Sequence, residues 1–167
     1  DGVTSIGYCA FTNCSSLTTV TLPDGVKVIE GYAFCGCSGL QFINIPYGVE
    51  VIHSSAFEDC SNLTNIVIPD SVEAIYHNAF RNCSSLESIT IPDGVDSIGD
   101  NTFDGCTNLK TVTIGKGVER IGNMAFAKCS SLTDVYYAGT EEEWNTIEIG
   151  KNNALLTDAN IHYRSEE

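Results

Sequence analysis

"CSSLTTVTLPDGV", residues Cys14 to Val26, sets Val20 and Leu22 against Thr19 and Thr21 and then turns at Pro-Asp-Gly. That is the two-residue period of a half-buried strand followed by a turn. The chain writes nearly the same stretch again as "CSGLQFINIPYGV" (37–49), "CSNLTNIVIPDSV" (60–72), "CSSLESITIPDGV" (83–95) and "CTNLKTVTIGKGV" (106–118). Gly2, Gly25, Gly48, Gly94 and Gly117 each open a Gly-Val pair, and Ser71 fills the same slot. Every step is 23 residues, which divides the chain into coils 2–24, 25–47, 48–70, 71–93, 94–116 and 117–139.

A fixed short period means stacked coils. One coil carries about seven inward apolar side chains, a gross gain of ~10–20 kcal/mol on burial. Ordering its backbone costs ~1–2 kcal/mol per residue, so a lone coil does not fold. Stacking covers each apolar face with the next coil and makes stability a property of the array. The inward rows are Ile6, Ile29, Ile52, Ile75, Ile98 and Ile121; Phe11, Phe34, Phe57, Phe80, Phe103 and Phe126; and Leu17, Leu40, Leu63, Leu86, Leu109 and Leu132. The alternation continues through Ile43 and Ile45, Ile66 and Ile68, Ile89 and Ile91, and Val112 and Ile114. It predicts parallel strands about 4.8 Å apart in one sheet. Val-x-x-Ile adds a second short extended piece. Ala-Phe-x-x-Cys predicts a tight bend opposite the sheet, with the phenyl rings in a ladder.

Leu-x-x-Val-x-Ile-Pro joined to Ala-Phe-x-x-Cys at this spacing resembles the BspA-type leucine-rich repeats, over residues 2 to about 139. The resemblance implies a curved, right-handed solenoid, mostly strand and loop, with a parallel sheet on its concave side. It also implies secreted or surface-anchored bacterial proteins of gut and oral species, some of them adhesin-like toward host matrix proteins or other bacteria. Such a name describes a scaffold more reliably than an activity.

The chain has 167 residues, 8 Lys plus Arg, 22 Asp plus Glu and a net charge of −14. A surface this acidic repels phosphate backbones and anionic lipid, so neither nucleic acid nor direct membrane insertion is expected. No apolar run approaches the roughly 20 residues of a membrane span. The chain opens with Asp1 on a repeat boundary, so further coils are expected upstream, and a signal peptide before them stays open.

Cys14, Cys37, Cys60, Cys83, Cys106 and Cys129 stand one per coil between the phenylalanine and the leucine. Disulfide frameworks are irregularly spaced, whereas a core-flanked rung is a small buried apolar side chain whose thiol donates weakly to a carbonyl of the bend. Free buried thiols are therefore expected for the six, and zinc is not, because Cys35-Gly36-Cys37 is too tight and lacks partners. Cys9 and Cys35 fall outside the ladder, and a disulfide between them stays open.

The pattern breaks after Val135-Tyr136-Tyr137, and residues 140–167 are expected to form a C-terminal cap with a short helix and a final strand. Thr140 as N-cap and Glu143 three residues on make a capping box, and Trp144, Ile147 and Ile149 supply an apolar face. Ile161 and Tyr163 alternate around His162 as a last strand beside Val135 and Tyr137. Trp144 is either a sugar-stacking residue or a plug over the last coil; the second reading is favoured because a solenoid end must be covered.

No nucleophile elbow, zinc-protease motif or phosphate loop is present, and no enzyme and no cofactor are expected. His53 and His77 lie at nearly equivalent sites on adjacent coils, near Asp59. They are either a metal pair or, as expected, two surface histidines. Glu50, Glu73, Asp96 and Glu119 recur at one repeat position as a solvated like-charge stripe. The candidate binding surface is the outward side of the strands. One row is Thr19, Phe42, Asn65, Ser88, Thr111 and Asp134; its neighbour is Thr21, Asn44, Val67, Thr90, Thr113 and Tyr136. These residues change from coil to coil over a constant core, and Phe42, Val67 and Tyr136 are the anchor candidates. The expected function is an extracellular or cell-surface interaction module that takes a protein or glycan ligand, adhesin-like in use. The rival is a passive spacer that holds another domain away from the surface.

Overall fold

The computed structural model describes residues 2–164. The Val-x-x-Ile pieces become two-residue strands at β1 (Ser5–Ile6), β3 (Val28–Ile29), β5 (Val51–Ile52), β6 (Ala74–Ile75), β8 (Ser97–Ile98) and β10 (Arg120–Ile121). With β12 (Glu148–Ile149) they form one seven-stranded sheet in sequence order, every described pair parallel. The Leu-x-x-Val-x-Ile pieces give β2 (Thr19–Thr21), β4 (Phe42–Asn44), β7 (Ser88–Ile91), β9 (Thr111–Ile114) and β11 (Asp134–Tyr137), joined by β13 (Asn160–Tyr163). Inward residues of both sets and of the bends meet in one core, in which Phe34, Phe57, Phe80, Phe103 and Phe126 are all 0% exposed.

The second set departs from the expected single sheet. It splits into β2-β4 and β7-β9-β11-β13, and Asn65-Ile66-Val67 of the third coil joins neither. Side-chain oxygens take over main-chain roles on both flanks of the gap. Leu22 N–H donates to Asn44 Oδ1 at 2.9 Å. Ser71, in the glycine slot, accepts from Gly48 N–H at 3.0 Å and donates to the Val49 carbonyl at 2.8 Å. The alternation survives without the ladder, since Ile66 and Ile68 stay buried. The third coil is held through β5 and through the bend.

The bend is the continuous fastener of the array. The amides of Phe11, Phe34, Phe57, Phe80 and Phe103 each donate to a carbonyl one coil on, at 2.7–2.9 Å. Two rows of left-handed residues make room for this ladder. One is Asn13, Gly36, Asp59, Asn82, Gly105 and Lys128; the other is Cys9, Tyr32, Ser55, Asn78, Asn101 and Met124. Asparagine, aspartate and glycine tolerate positive φ best, which accounts for most of the first row. The rings stack as expected, with centroids 5.2–5.5 Å apart from Phe11 to Phe126.

All eight cysteines are unpaired thiols, Cys9 and Cys35 included. Cys37 donates to the Phe11 carbonyl at 3.0 Å, and Cys60, Cys83, Cys106 and Cys129 each donate to a phenylalanine carbonyl at 3.2 Å. The expectation of six buried rungs needs one correction. Cys14 is exposed, because no described coil precedes it to cover it.

The C-terminal segment builds a seventh turn with the layout of a coil. Helix α1 (Glu141–Trp144) starts at Thr140 with the capping box in place, the Thr140 amide donating to Glu143 at 2.8 Å. Trp144 is buried and meets Tyr137 edge-on at 5.3 Å, the geometry of a plug. A second helix, α2 (Ala154–Thr157), which the alternation does not signal, seats the fully buried Leu156. Just before it, Asn153 Oδ1 accepts from the Phe126 amide at 3.0 Å, where earlier coils present a carbonyl. Its Nδ2 donates to the carbonyls of Gly122 and Gly150, both at 2.9 Å.

Candidate functional site

Strand pairing aligns the outward residues into rows. Thr19 faces Phe42 and Thr21 faces Asn44 across β2 and β4. Ser88, Thr111, Asp134 and Asn160 form one row of the four-stranded sheet; Thr90, Thr113, Tyr136 and His162 form the next. Period-two geometry drives this: Ile43, Ile89, Val112 and Val135 point into the core, so their neighbours point out. Asn65 and Val67 extend the same alternation through the gap, and both are exposed. Phe42 is 51% exposed, Val67 69% and Tyr136 46%. Thr19, Thr21, Ser88 and Thr90 are exposed, whereas Asn44, Thr111, Thr113 and Asp134 are half-buried by their flanking coils.

Two members of this surface were not among the sequence candidates, Asn160 and His162, both supplied by the seventh turn. His162 stacks on Tyr136 with centroids 4.6 Å apart and an interplanar angle of 13°. Its Nε2 lies 2.8 Å from Asp134 Oδ1. This hydrogen bond, aided by Thr133, holds the Asp134 carboxyl below its ordinary range. Their proximity follows from the register of β11 and β13, in which Ile161 and Tyr163 pair with Val135 and Tyr137 as their alternation around His162 predicts. The surface thus offers hydroxyl and amide groups over most of its length, aromatic and apolar side chains at coils 2–3, and an aromatic pair at its C-terminal end.

The two surface histidines do not converge. His53 stacks on Tyr76 at 5.2 Å and faces Glu30 at 3.8 Å, while His77 Nδ1 accepts from the Asp100 amide at 2.9 Å. Among the described residues no three His, Cys, Asp or Glu side chains are grouped to hold a metal ion. A shallow hollow of about 420 Å³ lies away from the strand rows, between Lys116, Glu119, Tyr137 and the cap residues Glu143 and Thr146. No helix among the described residues is long and apolar enough to cross a membrane.

A family model described as BspA type leucine rich repeat region matches residues 4–133 in six copies. Among solved structures, the chain is similar to a leucine rich repeat protein of T. pallidum. The two are 27% identical with a TM-score of 0.82, over 99% of this chain and 83% of that one. It is also similar to the pneumococcal vaccine antigen PcpA at 20% identity and TM-score 0.74, a likeness of fold, over 98% of this chain and 45% of that one. A leucine rich cell surface protein of Faecalibacterium prausnitzii is 28% identical with a TM-score of 0.53, over 89% of this chain and 61% of that one. The chain therefore spans less than two thirds of the latter two. No curated protein matched the chain.

Proposed function

Because the chain belongs to the BspA-type leucine-rich repeat family, we propose that it is an extracellular or cell-surface interaction module that holds a protein or glycan ligand on its strand face. One observation carries this reading. The inward side of each coil is nearly invariant, while the outward row runs Thr19, Phe42, Asn65, Ser88, Thr111, Asp134. A frame selected only for stability has no use for a half-exposed phenylalanine in that row, and burying it against a partner recovers ~1.5–3 kcal/mol. The family's fold is typically a binding scaffold rather than a catalyst, and a relative whose printed name is cell surface protein supports the location. Adhesion is the use that fits such a module best.

The test is a surface-binding screen against immobilised matrix proteins and glycans. Phe42→Asp and Thr113→Arg run alongside the parent chain, with circular dichroism to confirm that both fold. Saturable binding lost in both variants is expected. A ligand indifferent to both removes the strand face from the reading, and the absence of any saturable ligand favours the passive spacer.

A further inference from the structure

Ion pairing is unevenly spread over the molecule. The turn after each strand carries two acidic rows along one edge: Asp24, Asp70 and Asp93, and next to them Glu50, Glu73, Asp96 and Glu119. All seven are exposed. The basic residues on this edge are Lys27, Lys116 and Arg120. Only Glu50 among the seven has an ion-pair partner among the described residues, Lys27 at 3.6 Å. On the bend side the cations bridge carboxylates of neighbouring coils: Arg81 pairs with Glu58 and Asp104, and Lys128 reaches Asp104.

The largest apolar exposures of the strand face lie beside this edge. Phe42 and Val67 are offset by two residues along the strand and one coil, roughly 8 Å between Cα atoms for ordinary strand spacings. Tyr47, 78% exposed, occupies in coil 2 the acidic-row position that Asp24 and Asp70 hold in coils 1 and 3. By coil equivalence Tyr47 stands between Asp24 and Asp70, and Val67 lies three residues before Asp70. Val67 lies in the third coil, whose Asn65–Val67 stretch joins no strand ladder.

We infer that Phe42, Tyr47 and Val67, with the carboxylates of Asp24, Asp70 and Glu73, form a docking site for a basic, apolar-anchored segment of a protein partner. The inference rests on the interaction reading above and narrows its ligand. Unpaired carboxylates steer a cationic segment toward the edge, and the apolar trio supplies the surface that keeps it there. A neutral glycan would leave those carboxylates unanswered.

The probe is a labelled twelve-residue peptide of alternating lysine and valine, with a glutamate-for-lysine counterpart, titrated against the full chain by fluorescence polarisation. The lysine peptide should bind saturably and weaken about tenfold between roughly 0.05 and 0.5 M salt. Asp24→Asn with Asp70→Asn should weaken it severalfold, and Phe42→Ser with Val67→Ser should do the same. Glu141→Gln with Glu142→Gln, which removes equal charge from the cap, should leave it unchanged. Equal losses in edge and cap variants, indifference to the apolar variant, or binding of the glutamate peptide each overturns the site. If the peptide fails while the screen above finds a saturable strand-face ligand, this inference falls and the interaction reading stands. If both fail, both fall.

Discussion

Asn153→Ala tests whether the seventh turn works by mimicking a coil. Asn153 is 3% exposed and its side chain makes three hydrogen bonds, to the Phe126 amide and to the Gly122 and Gly150 carbonyls. Each such bond is worth ~1 kcal/mol net, and a buried amide left without an acceptor costs ~1–3 kcal/mol. The substitution should therefore cost about 3–5 kcal/mol. In urea this lowers the unfolding midpoint by roughly 1–3 M for an ordinary slope. Because coils interact only with neighbours, the loss should concentrate at the C-terminal end. The Phe126 amide should exchange with solvent much faster, while that of Phe34, which donates to the Ala56 carbonyl at 2.8 Å, changes least. Asn108→Ala, at an exposed asparagine whose side chain bonds nothing among the described residues, is the control and should stay within about 0.5 kcal/mol. A cost for Asn153→Ala below about 1 kcal/mol, with Phe126 exchange unaltered, would refute the idea that this side chain replaces a rung carbonyl.

Other expectations concern the core, the turns and the thiols. Phe80→Ala, between two stacked rings and 0% exposed, should cost about 3–5 kcal/mol by denaturation, and Phe11→Ala, 38% exposed at the end of the ladder, clearly less. Gly117→Ala should destabilise by ~1–3 kcal/mol, since a Cβ there would stand 2.0 Å from the Asp93 carbonyl; Gly7→Ala meets nothing within 4 Å and should not. A thiol-reactive disulfide reagent should label Cys9 and Cys14 in the folded protein, and Cys60, Cys83, Cys106 and Cys129 only after denaturation. Burial pushes the Cys129 thiol up to about 12 and the Cys35 thiol up to about 11, against an ordinary value of 9.0. Below that ordinary value folded and unfolded chains both keep these protons, and the contribution to stability is fully present. Above it the unfolded chain ionises first, so stability should fall as pH climbs from 9.0 through about 11 to about 12. A denaturation midpoint flat across that window would contradict the buried thiols.

The repeat made most of the frame legible. The rows of Ile, Phe, Leu and Cys each needed only the 23-residue period to be placed, because one coil sees the same neighbours as the next. The bend was legible as a bend, and its Asn13, Gly36, Asp59, Asn82 and Gly105 row carried a compositional signal for positive φ. In the second row only Asn78 and Asn101 carried that signal; at Tyr32, Ser55 and Met124 the surrounding hydrogen bonds impose the conformation on residues that do not favour it. Cys14 follows the ladder pattern yet lies exposed, because burial at an end depends on a neighbour rather than on the residue.

Of the candidate surface, the alternation placed Phe42, Val67 and Tyr136 on the outward side and set the His162 strand beside Val135 and Tyr137, while the bond from His162 to Asp134 needed the structure. By itself the sequence determined the period, the inward set and the identity of the outward rows, all of which follow from local alternation and turn chemistry. Tertiary structure alone decided that the strand sheet breaks at Asn65–Val67, that Asn153 closes the bend ladder, and that His162 bonds Asp134 while stacking on Tyr136. Each of these depends on how closely two segments approach across coils, and hydrogen bonding is far steeper in distance and angle than the burial that side-chain pattern encodes.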